Sequence, residues 1–193
     1  GMMTLLRGVI LVYTKGSPIP IKSDAYKFFG KGSIAGIPVP VIILIIVFLL
    51  AHYILTQTSY GRSVYAVGGN REAARLSGIR VKTSEFLVYT LNGLMCGMAG
   101  LILTARLGSA QSTSGTGIEM DAIAAVILGG TSLSGGVGFV LPTVVGAMIM
   151  GIIDNILTLM NVNPHATNIV KGAVILIAVL VDKKVKDLSA KAE

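Results

Sequence analysis

The chain has 193 residues, enough for one soluble domain of ordinary size, yet 53% of them are hydrophobic and only 13% are charged. Soluble domains average about 25% charged residues, so much of the usual surface charge is missing and the surplus apolar surface must face lipid. The net charge of +7 is scattered at the ends of apolar runs, a pattern for topology setting and anionic lipid headgroups that speaks against a nucleic-acid-binding face.

The chain opens on Gly1-Met-Met-Thr-Leu-Leu-Arg-Gly-Val-Ile-Leu-Val-Tyr13, which reads as the end of a helix already under way. A chain that starts this way is expected to be the later part of a longer one. Residues 15–38 carry Lys15, Lys22, Lys27 and Lys31 together with Pro18, Pro20, Tyr26, Phe28 and Phe29. They predict a polar connection with an interfacial aromatic patch and one short surface helix. Pro38 and Pro40 then open a first full span over about Val41 to Gln57.

Residues 58–82 separate this span from a second, about Ser84 to Arg106, and hold Arg62, Arg71, Arg75, Arg80 and Lys82 against the single acid Glu72. Arginines between two membrane-length apolar runs mark a cytoplasmic loop. Within it Asn70 to Gly78 predicts two turns of helix, capped by Asn70 and ended by Gly78. The second span contains Gly93 and Gly97, a four-residue small spacing that lets helix backbones approach closely in lipid. Asn92 beside them is expected to donate an interhelical hydrogen bond, or else to contact a substrate. Cys96 is the only cysteine, so no internal disulfide is possible, and it reads as a small packing residue.

After the uncharged turn 109–117, residues 118–128 are apolar apart from Glu119 and Asp121 and end at Gly129-Gly130. As a helix these residues reach only about 16 Å, half the hydrocarbon core. Such a half-helix is tolerated only where protein or a water-filled cavity covers its backbone, and in transporters it often borders the substrate path. The glycine loop 130–138 leads into a long span from Phe139 to Met160. A short last span, about Asn168 to Val181, carries Lys171 near its start, and the tail from Asp182 reads as a solvated helix end.

The fold class predicted is therefore all-α: a polytopic helical membrane protein with about four spans plus a glycine-broken half-helix, in a single transmembrane domain over 1–193. Loops 108–117 and 161–167 contain no lysine or arginine and belong outside. Loops 59–83 and 130–138 and the lysine tail then lie inside. Residues 15–36 fall outside with four lysines, against the rule.

Residues 130–137 have the glycine spacing of a phosphate loop, but Gly136 and Val137 stand where lysine and Ser/Thr are needed, so nucleotide binding is rejected. His52 and His165 lie far apart, no His/Cys cluster has metal spacing, and nothing resembles a nucleophile with its base. The chain is read as no enzyme and as binding neither metal nor cofactor. Acids at membrane depth are functional candidates. Glu119, Asp121, Asp154 and Asn155, with Asn92, are the candidates for lining a polar path. The simpler reading has Asp154 and Lys171 neutralising each other between neighbouring helices.

Residues 61–79, Gly-Arg-Ser-Val-Tyr-Ala-Val-Gly-Gly-Asn-Arg-Glu-Ala-Ala-Arg-Leu-Ser-Gly-Ile, resemble a signature of the ribose/xylose/galactoside-type permeases of bacterial ABC importers. So do residues 119–138, Glu-Met-Asp-Ala-Ile-Ala-Ala-Val-Ile-Leu-Gly-Gly-Thr-Ser-Leu-Ser-Gly-Gly-Val-Gly. The resemblance runs in order along essentially the whole chain, which looks like the C-terminal three-fifths of a permease of about ten spans. It implies a multi-pass inner-membrane homodimer served by a cytoplasmic ATP-binding subunit, which hydrolyses the ATP, and by a periplasmic sugar-binding protein. The substrate implied is a monosaccharide such as ribose; a nucleoside or branched-chain amino acid permease is the alternative, and a small membrane channel or scaffold is a reading from another class. The ATPase is expected to dock on Asn70, Ala73, Ala74, Leu76, Ser77 and Gly78, with Thr131, Ser132 and Ser134 of the glycine loop as the second site. Without the spans that would cover the half-helix, a chain of this extent is expected to be unstable alone.

Overall fold

The computed structural model describes residues 1–189, except for the side chains of Pro164, His165, Ile177 and everything from Val181 onward. The solvated tail expected from Asp182 lies outside the described side chains, as does the side chain of His165. Nine helices follow one another among the described residues: α1 (Met2–Thr14), α2 (Asp24–Lys31), α3 (Val39–Gln57), α4 (Ser59–Gly69), α5 (Arg71–Leu76), α6 (Val81–Leu107), α7 (Ile118–Leu128), α8 (Val140–Leu159) and α9 (Pro164–Ser189). The strands are only two-residue pairs. β1 (Ile19–Pro20) pairs antiparallel with β4 (Ser109–Ala110), and β2 (Ser33–Ile34) with β3 (Ile37–Pro38).

Among the described residues three helices are long and apolar enough to cross a membrane: α3, α6 and α8. Of the 19 residues of α3 only Val39 is buried, so the helix is apolar on every side and presents that surface to lipid. The expected fourth span is α9, whose apolar stretch covers only Ala166–Leu180. The half-helix falls where the glycines place it, at Ile118–Leu128.

The chain divides into two compact units, residues 1–50 with 86–116 and residues 51–85 with 117–193. In the first, the lysine-bearing connection is fastened to the end of α6. Ser23 caps α2 by accepting from the Tyr26 backbone N–H, and the Tyr26 hydroxyl lies 2.7 Å from Thr104 Oγ1. Gly30 sits so tightly on the backbone of Ala105 and Arg106 that no side chain could take its place. Ala105 is accordingly fully buried.

The second unit is built on α7. Ala124 and Ala125 of α7 and Met150 of α8 form a small core, joined by Leu128, Ile153, Val174 and Ile175. Small residues make this packing possible, as expected where lipid supplies no hydrophobic drive between helices. A Cβ on Gly146 would collide with the Ala125 carbonyl oxygen, and one on Gly129 would stand 2.6 Å from Thr143 Cα. Gly146→Ala should therefore destabilise the unit by about 1–3 kcal/mol, as overpacking does. Gly151, on the same helix, has open space around it, and Gly151→Ala should leave stability unchanged or slightly raised. Thermal unfolding in detergent checks the pair; equal melting of the two variants would refute the packing.

Candidate functional site

The residues between α3 and α6 form more structure than their sequence announces. The periodicity of 70–78 predicts one short helix, but α4 precedes it, because the Thr58 side chain accepts the Gly61 N–H and starts a helix directly after α3. The α5 helix follows as expected. The Asn70 side chain accepts from the Ala73 N–H at 3.0 Å. At the other end the Gly78 N–H donates to Arg75 and the Ile79 N–H to Ala74, the paired closure that needs a left-handed residue, and Gly78 supplies it with φ +82°. Arg71 reaches Glu85 at the start of α6, at 2.9 Å. Arg75 pairs with Glu72 at 3.1 Å. Both pairs are exposed and contribute at most about 1 kcal/mol each.

The candidate docking residues divide by burial. Asn70, Ala73, Ser77 and Gly78 are exposed, and Leu76 is 82% exposed, an apolar side chain held out to solvent on a basic loop. Ala74 is 4% exposed and faces inward. In the second loop Ser132 is buried too, donating its N–H to the Val137 carbonyl at 2.9 Å, whereas Ser134 is exposed and Thr131 half-buried. Ala74 and Ser132 are thus the buried members of the candidate set.

Loops 61–82 and 130–138, offered by the sequence as rival sites, are physically one. The end of α4 lies directly on the glycine loop: a Cβ on Gly68 would stand 2.8 Å from Gly136 N, one on Gly136 2.8 Å from Gly69 Cα, and one on Gly135 would collide with the Gly68 carbonyl oxygen. Gly135 also holds φ +87°, a conformation costly for any side chain. The Tyr65 hydroxyl donates to the Gly138 carbonyl at 2.9 Å, bonding α4 to the far end of the loop. Loop 130–138 joins α7 to α8, so displacement of α4 bears directly on the half-helix. Nearby, the Tyr60 hydroxyl is buried without a hydrogen-bond partner, and burial pushes its pKa above the usual tyrosine value.

At the opposite end of α7 stand the acids. Glu119 and Asp121 occupy its first turn, where carboxylates favour the helix N-terminus, and Glu119 Oε2 accepts from the Gly117 N–H at 3.1 Å. Lys171 Nζ of α9 donates to Asp121 Oδ2 at 2.8 Å and pairs with Asp154 Oδ1 of α8 at 2.9 Å. The pairing of Asp154 with Lys171 is the simpler of the two sequence readings, and Asp121 joins it. Asn155 and Glu119 are exposed. Asn92 is exposed on α6, and no side-chain hydrogen bond of it is seen among the described residues. A Cβ added at Gly93, Gly97 or Gly100 would likewise meet no other part of the described chain within 4 Å.

Comparison with known proteins agrees with this architecture. The family described as branched-chain amino acid transport system / permease component matches residues 1–179. The ribose import permease protein RbsC of Escherichia coli K12 is 53% identical over 187 residues, covering 95% of this chain and 58% of that protein. RbsC of Bacillus subtilis is 50% identical over 184 residues, covering 94% of the chain and 57% of that protein. The xylose transport system permease protein XylH of Escherichia coli K12 is 48% identical over 151 residues, covering 78% of the chain and 38% of that protein. The chain thus spans less than two thirds of the length of these relatives. No solved structure matches. With a family match running from the first residue to the last apolar helix, this multi-pass helical membrane chain belongs to the family of branched-chain amino acid transport system permease components.

Proposed function

We propose that the chain forms part of the translocation subunit of a binding-protein-dependent ABC importer in the bacterial inner membrane, moving a monosaccharide of the ribose class. The observation that carries this is identity of 50% or more to ribose import permeases along nearly the whole chain. Within α7 to α9 the charges of Asp121, Asp154 and Lys171 pair with one another. An uncharged, polyhydroxylated solute suits such an interior, since it needs hydrogen bonds and few fixed charges. Asn92, Glu119, Asp121, Asp154 and Asn155 are the path-lining candidates in this proposal.

The partners follow from the same reading: a cytoplasmic ATP-binding subunit, a periplasmic sugar-binding protein, a second permease copy and membrane lipid. No catalytic role is assigned to the chain. The ATPase docks on the exposed side of α5, around Asn70, Ala73, Leu76, Ser77 and Gly78, with Leu76 as its apolar anchor. The stroke then passes from α4 through the glycine contact to loop 130–138 and so to α7.

Two experiments on the full-length permease test these roles. Leu76→Glu and Ser77→Glu should reduce ATPase association by about thirtyfold, the effect of losing an interface hot spot, with insertion and melting unchanged. Normal association of both, with loss on Ser134→Glu, would move the docking site to the glycine loop. Gly135→Ala should keep ATPase association but lower transport per ATP hydrolysed by about tenfold, the ordinary size of coupling between sites. Wild-type transport per ATP in that variant would show that the stroke takes another route. The solute class is read from the neighbouring binding protein: tight capture of ribose or a similar sugar supports the proposal, and capture of leucine overturns it.

A further inference from the structure

Asp121 and Asp154 attract notice in the sequence as acids at membrane depth, but the residue that joins them is Lys171. Its side chain is 18% exposed, and its ammonium lies 2.8 Å from Asp121 Oδ2 and 2.9 Å from Asp154 Oδ1. Three helices therefore meet on one cation: α7 through Asp121, α8 through Asp154 and α9 through Lys171 itself. Two carboxylates and one ammonium leave the cluster with a net charge of −1, so the cation is shared and neither acid has it alone.

The two ends of α7 are fastened in different ways. Towards Gly129 the helix is locked by main-chain packing, with Gly129 against Thr143 and Gly146 against the Ala125 carbonyl, where displacement meets a hard wall. Towards Ile118 the polar fastening is this ion cluster, and the helix is entered through Gly115 and Gly117, both at positive φ in an uncharged turn. A shared cation can give up one carboxylate and still keep the other, so the Asp121 contact can open without leaving an unpaired ammonium, while the Asp121 carboxylate, 25% exposed, stays in the first turn of α7, where the helix N-terminus favours it. Steric packing offers no such intermediate.

We propose that Lys171 is a positioning residue for transport: it holds the Asp121 end of the half-helix against α8 and α9, and releases that end by retaining Asp154 alone. This rests on the importer reading for its transport consequence but not for its structural one, and the test separates the two. In a full-length permease carrying Cys96→Ser and a reporter Ile118→Cys, the labelling rate of residue 118 by a membrane-impermeant maleimide reads the position of that end directly. Asp121→Asn leaves a neutral Lys171–Asp154 pair and should insert normally. It should raise the labelling rate about tenfold, the scale of a modest shift between two states. Lys171→Arg should keep the slow rate, because a guanidinium can bridge two carboxylates. The triple variant Lys171→Met, Asp121→Asn, Asp154→Asn, which removes every charge and so avoids a stranded carboxylate, should label as fast as Asp121→Asn.

An unchanged labelling rate in both Asp121→Asn and the triple variant overturns the proposal, whatever transport does. With the ATPase and binding protein reconstituted, Asp121→Asn should also lower the solute moved per ATP hydrolysed while Lys171→Arg preserves it. Faster labelling together with wild-type transport per ATP confines Lys171 to a structural role and overturns the positioning claim. A wild-type permease with no ATP-dependent, binding-protein-dependent uptake counts against the importer reading alone, since the labelling arm does not depend on it.

Discussion

Lipid offers no hydrogen bonds, so a membrane chain that interrupts a helix must repair the break from its own groups. The interruption between α7 and α8 is where this constraint bears hardest. The repair begins in the last turn of α7, where the Gly130 N–H donates to Ile127 and the Thr131 N–H to Val126. It continues across the loop with the Ser132 N–H on the Val137 carbonyl and the Gly135 N–H on Ser132. The Gly138 carbonyl is satisfied from outside the loop, by the Tyr65 hydroxyl. The loop is thus completed by α4, which is why two segments more than sixty residues apart behave as one body.

The same demand explains the acids. Charges at membrane depth persist when they meet opposite charges or line water, and here the Asp121 and Asp154 carboxylates both form ion pairs with Lys171 across three helices. Their geometry gives α7 a polar fastening at one end and a steric one at the other.

Much of this could be read from residues 39–160 alone. Apolar runs of membrane length, arginines between them and an eleven-residue run cut by Gly129-Gly130 are local signals, and α3, α6, α7 and α8 fall where those signals put them. The Asn70 cap and the Gly78 closure of α5 were equally legible, because capping depends on a few adjacent residues. What escaped was tertiary. Nothing in the spacing of 61–69 distinguishes α4 from the loop it interrupts, since Tyr65, Gly68 and Gly69 meet a segment far along the chain. Small residues such as Ala74 and Ser132 do not announce which way they face. Lys171 looked like the partner of Asp154 alone, and the addition of Asp121 needed the crossing of α7 and α9.

The contact of Gly68 and Gly69 with Gly135 and Gly136 is made by main chain on both sides. Natural variation ordinarily adjusts a contact by trimming or lengthening side chains, one methyl at a time. At Gly68, Gly135 and Gly136 there is no side chain to trim, and the smallest possible addition already collides. The joint can be inherited intact or broken there, but it offers no graded series of alleles between those states. Diversification among such proteins must therefore fall on the surfaces flanking the joint, leaving these three positions outside the reach of gradual adaptation.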